Sequence, residues 1–320
     1  GHTMARFAWL GDSALALTLS LDGLQGARVE DADGSLAAAL RFARDPQAPA
    51  EALDLLAARL LPPLEPALDG AQILEFSADS ALAEVPFDLL RDPANGEPLM
   101  LGRAIAWTPT LAHHYLCETR RSPWRRRVVA LGPARAPDPA GEVIAATFAS
   151  ESADQAGAPP GPRDAFDAGR RADLLRMTCL LDLDARLPAA SRALLDSASA
   201  APGGAMPLRD FFASGWGASL AAFERVSSGA RGSQGDPAGN AAARELFLTA
   251  LAWGGAPAAI LPPASPDAAP EDDAVFWSGF WKALASASPA QALLEARRAA
   301  LDAGADPRRM AGFRLWGHPG

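Results

Sequence analysis

Short apolar runs that end in glycine, proline or polar residues constrain the fold of this chain most strongly. The run Val128-Val129-Ala130-Leu131-Gly132 is typical of a buried strand that enters a turn at its carboxyl end. Similar runs alternate with stretches of helical length, which predicts βαβ units and a mainly parallel sheet. The further runs cover 172–181, 218–226, 256–261 and 313–316, and the helical stretches cover 141–153, 208–212, 241–252, 276–287 and 290–303.

The first third of the chain shows its own mixture of strand and helix patterns. Apolar residues alternate over 5–21 around Gly11-Asp12, which predicts a β-hairpin. Helical spacing over 36–42 and 50–68 precedes a short strand at 71–77. We therefore expect an α/β protein with an N-terminal α/β subdomain at 5–127 and a second domain at 128–320.

Composition narrows the functional classes. The 320 residues are 49% hydrophobic and carry a formal net charge of −9, so the chain can bury a core but repels nucleic acid and anionic lipid. No run approaches the roughly 18 apolar residues of a membrane span. Two cysteines are too few for a disulfide framework, and a cytoplasmic setting is expected. Residues 1–4 look like a cloning remnant, so His2 is set aside.

Cofactor motifs are missing from the sequence. The single lysine, Lys282, does not follow the glycine pattern of a P-loop, and we expect it on a solvated helix face. Gly229, Gly232 and Gly235 are spaced differently from the strand-to-helix motif of dinucleotide-binding proteins. We expect no cofactor.

Four short motifs, in this order along the chain, carry a family resemblance. Residues 77–90 (SADSALAEVPFDLL), 105–111 (IAWTPTL), the helix at 290–300 and the closing strand at 312–317 resemble conserved segments of the CHAT family. These proteins are caspase-like peptidases related to separases, and the resemblance covers nearly the whole chain. It implies a caspase-like three-layer sandwich, with a mainly parallel sheet and helices on both faces.

The resemblance also implies where a catalytic pair belongs. Active members place His-Gly after one strand and Cys, usually within A-C-x-S-G, after the next. Here the His position falls on Leu180 and the Cys position on Val226, which is followed by Ser227-Ser228-Gly229. Leucine and valine can neither transfer a proton nor attack a carbonyl. The prediction is a catalytically inactive pseudopeptidase that acts as a protein-binding, scaffolding or regulatory module.

Two alternatives stay open at this point. One is an active cysteine endopeptidase with a relocated nucleophile, Cys179, although a residue directly before Leu180 on a strand faces the opposite way and is more typical of a core. The other is a hydrolase that uses aspartates. His113-His114 and Cys117 resemble metal ligands, but a closed zinc site needs about four. We therefore expect a partly exposed helix face there, and no metal.

The candidate binding residues lie beyond the predicted strand ends, where α/β proteins hold their ligands. They are Asp182 and Asp184 in a loop and Ser227, Ser228 and Gly229 in a turn. An extended peptide of a protein partner is the expected ligand, and a gene neighbour is the first place to look for that partner. The arginines over 120–127 are expected to form a solvated connection, with an acidic partner as the alternative. The oligomeric state stays open.

The resemblance also makes two structural predictions. Leu180-Leu181 and Val226-Ser227 should end neighbouring parallel strands and share one shallow cleft. The core should contain Val129, Leu131, Leu174, Met177, Leu220 and Ile260.

Overall fold

A computed structural model describes most of the chain. The described residues are 2–21, 23–43, 50–79, 82–83, 85–120, 127–131, 138–152, 167, 169–194, 205–228, 237–263 and 270–319.

The described strands form one mixed sheet of 13 strands. The strands are β1 His2–Trp9, β2 Ser13–Ser20, β3 Gly23–Glu30, β4 Ile73–Ala78, β5 Ala104–Trp107, β6 Arg127–Leu131, β7 Ala149–Ser152, β8 Leu174–Leu183, β9 Arg192–Leu194, β10 Ala205–Pro207, β11 Leu220–Ser228, β12 Ala258–Leu261 and β13 Arg314–Gly317.

Helices connect these strands. The helices with an assigned range are α1 Ser35–Ala43, α2 Ala50–Leu60, α3 Glu65–Leu68, α4 Leu99–Gly102, α5 Leu111–Thr119, α6 Pro139–Thr147, α7 Leu208–Phe212, α8 Pro237–Trp253, α9 Pro270–Leu284, α10 Pro289–Asp302 and α11 Pro307–Gly312. Short 3₁₀ turns cover Pro62–Leu64, Phe87–Leu89 and Pro188–Ala190. The predicted α/β class is confirmed. The predicted boundary at residue 127 stays a prediction.

The strand directions create two separate edges at which parallel strands end. The order across the sheet is β10-β9-β8-β11-β12-β13-β5-β4-β1-β2-β3, and β6 pairs with both β8 and β7. Strands β6, β8, β11 and β12 pair in parallel, as do β13, β5, β4 and β1. Because β12 and β13 are antiparallel, the two groups run in opposite directions. Their carboxyl ends therefore lie at opposite edges of the sheet.

Alternate residues of the central strands enter two separate apolar clusters. On β12, Ala259 and Leu261 belong to the first cluster, and Ala258 and Ile260 belong to the second. The first cluster includes residues of α1, α2 and α8, and the second includes residues of α6, α9 and α10. All the core residues predicted from the sequence are buried, which confirms that prediction: Val129, Leu131, Leu174, Met177, Leu220 and Ile260.

Two regions differ from the sequence-based expectation. The helix predicted over 141–153 ends at Thr147, and residues 149–152 form β7, whose backbone pairs with β6. Serines at 150 and 152 compete poorly for a helix interior, so strand pairing prevails. The expected hairpin over 5–21 is present, but the third strand, β3, gave no signal because most of its residues are exposed. Strand patterns are readable only where one face is buried.

A buried ion pair joins distant parts of the chain. Asp88, in the short turn after Pro86, is completely buried. Arg297 of α10 donates to its Oδ1 at 2.7 Å and also to the carbonyl oxygens of Phe313 and Met310, at 2.6 and 3.2 Å. The side chains of this pair are 1% and 0% exposed. The two charges therefore hold each other, and fixed hydrogen bonds to carbonyl oxygens also hold Arg297 in place of water.

Arg314 of β13 connects Asp88 to Trp107, in the segment at 105–111. Its Nε lies 3.7 Å from Oδ2 of Asp88, and its guanidinium carbon lies 4.1 Å from the ring centroid of Trp107. It also donates to the carbonyl oxygens of Ala83 and Val85. The four sequence segments that resemble the CHAT family therefore meet at one place.

Arg297→Met is expected to lower the free energy of unfolding by about 3–5 kcal/mol, because it leaves a buried carboxylate without its main partner. The adjacent Arg298 is exposed and donates to the carbonyl of Leu101, so Arg298→Met should cost less than about 1 kcal/mol. Urea unfolding of the two variants measures the difference. Equal effects at the two positions would show that the buried pair does not hold these segments together.

Candidate functional site

The two strands that carry the expected catalytic positions are neighbours. In the parallel pair β8–β11, Leu181 lies opposite Val226, and Leu180 lies opposite Arg225. The register shifts between Phe223 and Arg225, a β-irregularity of the kind found beside functional sites. The prediction that Leu180-Leu181 and Val226-Ser227 lie on neighbouring parallel strands is confirmed, although β8 continues to Leu183 and β11 to Ser228. The shallow cleft between them stays a prediction.

Three of the binding residues predicted from the sequence lie in strands instead of a loop or a turn. Asp182 belongs to β8, where it lies opposite Arg192 of β9, and Ser227 and Ser228 are the last residues of β11. The expected loop at Asp182 and the turn at Ser227-Ser228 are therefore wrong, because backbone pairing extends both strands. Gly229 lies outside the described residues.

The aspartates near the strand ends have partners within the protein. Oδ2 of Asp182 lies 3.3 Å from Nε of Arg192. Oδ1 of Asp184 accepts the backbone N–H groups of Arg186 and Leu187, both at 2.9 Å. The N–H of Asp184 donates to Oγ of the buried Ser191. Asp184 thus holds its own turn in place.

Four residues before Leu180, Arg176 forms a buried charge network. Its Nε lies 2.5 Å from Oε1 of Glu224, and its two Nη atoms lie 2.7 and 2.6 Å from the carboxylate oxygens of Asp138. Burial favours the neutral form of Arg176, but the bonds to Asp138 and Glu224 outweigh it and raise the pKa of Arg176. Arg176 therefore stays charged, and two internal carboxylates hold it.

Gly141 is required beside this network. Asp138 caps α6 by accepting the backbone N–H of Gly141 at 2.9 Å. A Cβ atom at Gly141 would overlap the carboxylate of Asp138 and lie 2.9 Å from Nη1 of Arg176. An aspartate directly before a proline, here Asp138-Pro139, is a recognisable sequence signal for a helix start. The sequence gives no comparable signal that Arg176 is the partner of this aspartate.

Both thiols are buried. Cys179 is 1% exposed and lies in the first apolar cluster with Met177 and Leu181, so it faces away from Leu180. Burial raises the pKa of Cys179 to about 12, and burial likewise raises the pKa of Cys117 to about 12. Because the thiolate is the nucleophile, neither group is activated near neutral pH.

A comparison with protein families now adds to this geometry. The model of the CHAT domain matches residues 50–200. Residues 50–200 therefore resemble a CHAT domain. The match begins at the first residue of α2 and includes β8 with Leu180, but it stops before β11 with Val226. A search against curated protein sequences found no match.

The histidines of this protein lie around α5 rather than at the ends of β8 and β11. His113 is buried, and its Nδ1 lies 3.6 Å from Sγ of Cys117. The sequence-based expectation of a partly exposed helix face is therefore wrong at His113, because this side chain packs into the interior. Burial lowers the pKa of His113. Among the described residues, no group of three or more His, Cys, Asp and Glu side chains is arranged to hold a metal ion.

His114 pairs with a buried carboxylate. Its Nδ1 lies 2.9 Å from Oε1 of Glu75 on β4, and Nε2 of His2 lies 3.1 Å from Oε2. Burial alone would raise the pKa of Glu75, but the hydrogen bonds to His114 and His2 outweigh it and lower that pKa. The same bond to Glu75 raises the pKa of His114. His2, which was expected to belong to a cloning remnant, is thus part of β1 and contacts Glu75 together with His114.

In the part of the chain that the structure describes, the helices are too short or too polar to cross a bilayer.

Both cysteines should resist alkylation in the folded protein. With pKa values of about 12, the thiols are almost wholly protonated at pH 8, and both are buried. Incubation with iodoacetamide, followed by intact-mass spectrometry, should show slow labelling that becomes fast only in denaturant. Rapid labelling at Cys179 in the native protein would contradict the buried-thiol assignment.

His114→Gln should reduce stability in a pH-dependent way. His114 has a raised pKa, so its contribution is full below the ordinary value of 6.5 and is lost as pH rises through the pKa of the folded protein. Glu75 has a lowered pKa, so its contribution is lost in acid, below 4.5. The difference in unfolding free energy between the wild type and the variant should therefore be largest between pH 4.5 and 6.5. Urea titrations across pH measure it, and a difference that grows above neutrality would refute the pair.

Proposed function

We propose that this protein is a catalytically inactive, caspase-like pseudopeptidase whose CHAT domain, a three-layer sandwich, binds a segment of a partner protein across the ends of β8 and β11. The observation that supports this most is that the strands carrying the two expected catalytic positions are paired, with Val226 opposite Leu181, the residue after Leu180. Both catalytic positions, Leu180 and Val226, carry apolar side chains.

The chemistry of the surroundings supports inactivity. A cysteine peptidase needs a thiolate close to an imidazole. Cys179 lies in the apolar core, and Cys117 has His113 beside it but is buried as well. Arg176, the nearest strong cation on β8, is already bound to Asp138 and Glu224.

The pairing of β8 limits how a partner can bind. One edge of β8 is covered by β11, and the other is covered by β6 and then by β9. A bound segment therefore cannot extend the sheet along β8. It lies across the strand ends, where Leu180 and Val226 are partly exposed on opposite faces of the sheet, with the Asp182–Arg192 pair at its side.

The aspartate hydrolase is less well supported. A general acid–base pair needs carboxylates that are free to exchange protons with a substrate. Asp182 is paired with Arg192, and Asp184 is engaged by the backbone of its own turn.

A peptide-library digestion tests the inactivity. Wild-type protein, Cys179→Ala and Cys117→Ala should all leave the library intact, because no described thiol is both accessible and ionised. Specific cleavage by the wild type that disappears in Cys179→Ala would establish the relocated peptidase instead.

A capture experiment tests the binding surface. Tagged protein expressed in its own source cells is cross-linked, and the partners of wild type are compared with those of Leu180→Trp and Val226→Trp. The matched control is Val275→Trp, at a 39% exposed position on α9. A partner that is retained by the control and lost by both cleft variants, at unchanged thermal midpoints, supports the proposal. A partner lost only when Arg125, Arg126 and Arg127 are replaced would show that the basic segment is the interface.

A further inference from the structure

A second candidate site lies at the opposite edge of the sheet. Residues at the carboxyl ends of β4, β5 and β13, together with Arg6 of β1 and the first half of α8, enclose a cavity of about 320 Å³. This volume is at the lower end of the range of about 300–1,000 Å³ for small-molecule sites. The ends of parallel strands are also where α/β sheets hold ligands. The cavity is separate from the carboxyl ends of β8 and β11, which lie at the other edge of the sheet.

The wall of the cavity formed by the sheet is aromatic. Trp107 and Trp316 are 1% and 4% exposed, and their ring centroids lie 5.7 Å apart. The guanidinium of Arg244 on α8 lies 5.0 Å from the centroid of the Trp316 ring. Nε1 of Trp107 is buried and has no hydrogen-bond partner among the described residues. Because little of either indole is exposed and an arginine lies over each ring, a flat ring would pack against the small exposed part of this wall rather than stack face to face on it.

The charged residues of the cavity favour an anion. The hydrogen bond of Arg6 to Oγ of Ser77, at 2.7 Å, leaves further N–H groups of that guanidinium to bind a ligand. Asp79 also lines the cavity, but its two carboxylate oxygens accept backbone N–H groups of Trp9 and Leu82. Glu245 is exposed. The formal charges of the two arginines and the two acids cancel, but backbone N–H groups already compensate Asp79, so the cavity is suited to one negative charge rather than several.

We propose that this cavity binds a small aromatic carboxylate. The ring packs against Trp107 and Trp316, and the carboxylate accepts hydrogen bonds from Arg6 and Arg244, in the geometry that makes arginine a preferred partner of carboxylates. The proposal does not depend on the proposed function.

A titration followed by nuclear magnetic resonance tests the ligand class. The nitrogen-15-labelled protein is titrated with phenylacetate, with neutral phenylacetamide and with acetate, and the indole N–H signal of Trp107 is assigned from Trp107→Phe. Phenylacetate should shift this signal with saturation, and the amide and acetate should bind at least roughly tenfold more weakly. Equal binding of phenylacetate and phenylacetamide would overturn the proposal, as would no shift up to roughly 10 mM phenylacetate.

Two charge variants and a matched control locate the site. Arg6→Gln and Arg244→Gln should each weaken phenylacetate binding by at least roughly tenfold. Arg209→Gln should leave it unchanged, because Arg209 has an 86% exposed side chain on α7 and does not line the cavity. Because both cavity arginines are near the surface, folding is checked by the thermal midpoint. Unchanged affinity in both folded variants would exclude this cavity as the site.

Discussion

A carboxylate that is removed from water must find its partners inside the protein, and Asp88 finds its main partner 209 residues away. The bond between Asp88 and Arg297 brings the turn after Pro86 against α10, and Arg314 links the same carboxylate to the closing strand and to the ring of Trp107. Replacing one member leaves a buried charge without compensation, which costs far more than the loss of a surface ion pair. This requirement connects the early part of the chain to its last helices and fixes β13 beside β5.

The need to pair a buried charge also governs the region around β8 and β11, where active CHAT-family members place their catalytic residues. Arg176 is buried, so it binds Asp138 and Glu224, and Gly141 leaves room for that contact. With these charges paired and Cys179 packed in the core, the ends of β8 and β11 present apolar or internally paired groups. Such surroundings do not favour an activated nucleophile, because a thiol in an apolar environment stays protonated. Binding of a protein segment at these strand ends is our proposal.

The sequence was sufficient for those parts of the fold that depend on burial patterns. The runs around Val129 and Ile260 are strands because one residue in two must enter each apolar cluster, and that alternation is visible without a structure. The neighbouring positions of Leu180 and Val226 followed from the resemblance to the CHAT family. The exposed β3 and the pairing of Asp182 with β9 were missed, because backbone pairing at a sheet edge has little side-chain signature. The partners of Arg176 and Glu75 were missed because contacts between distant segments depend on the tertiary fold.

The protonation state of the two cysteines tests the central claim most directly. In protein labelled with carbon-13 at the cysteine Cβ atoms, each thiol is followed through its chemical shift as pH rises, while the fold is monitored in the same spectra. Buried thiols with pKa values of about 12 predict constant shifts for Cys117 and Cys179 through neutral and mildly alkaline pH. A titration of either residue with a midpoint below its ordinary value of 9.0 would reveal an activated thiolate and contradict the account.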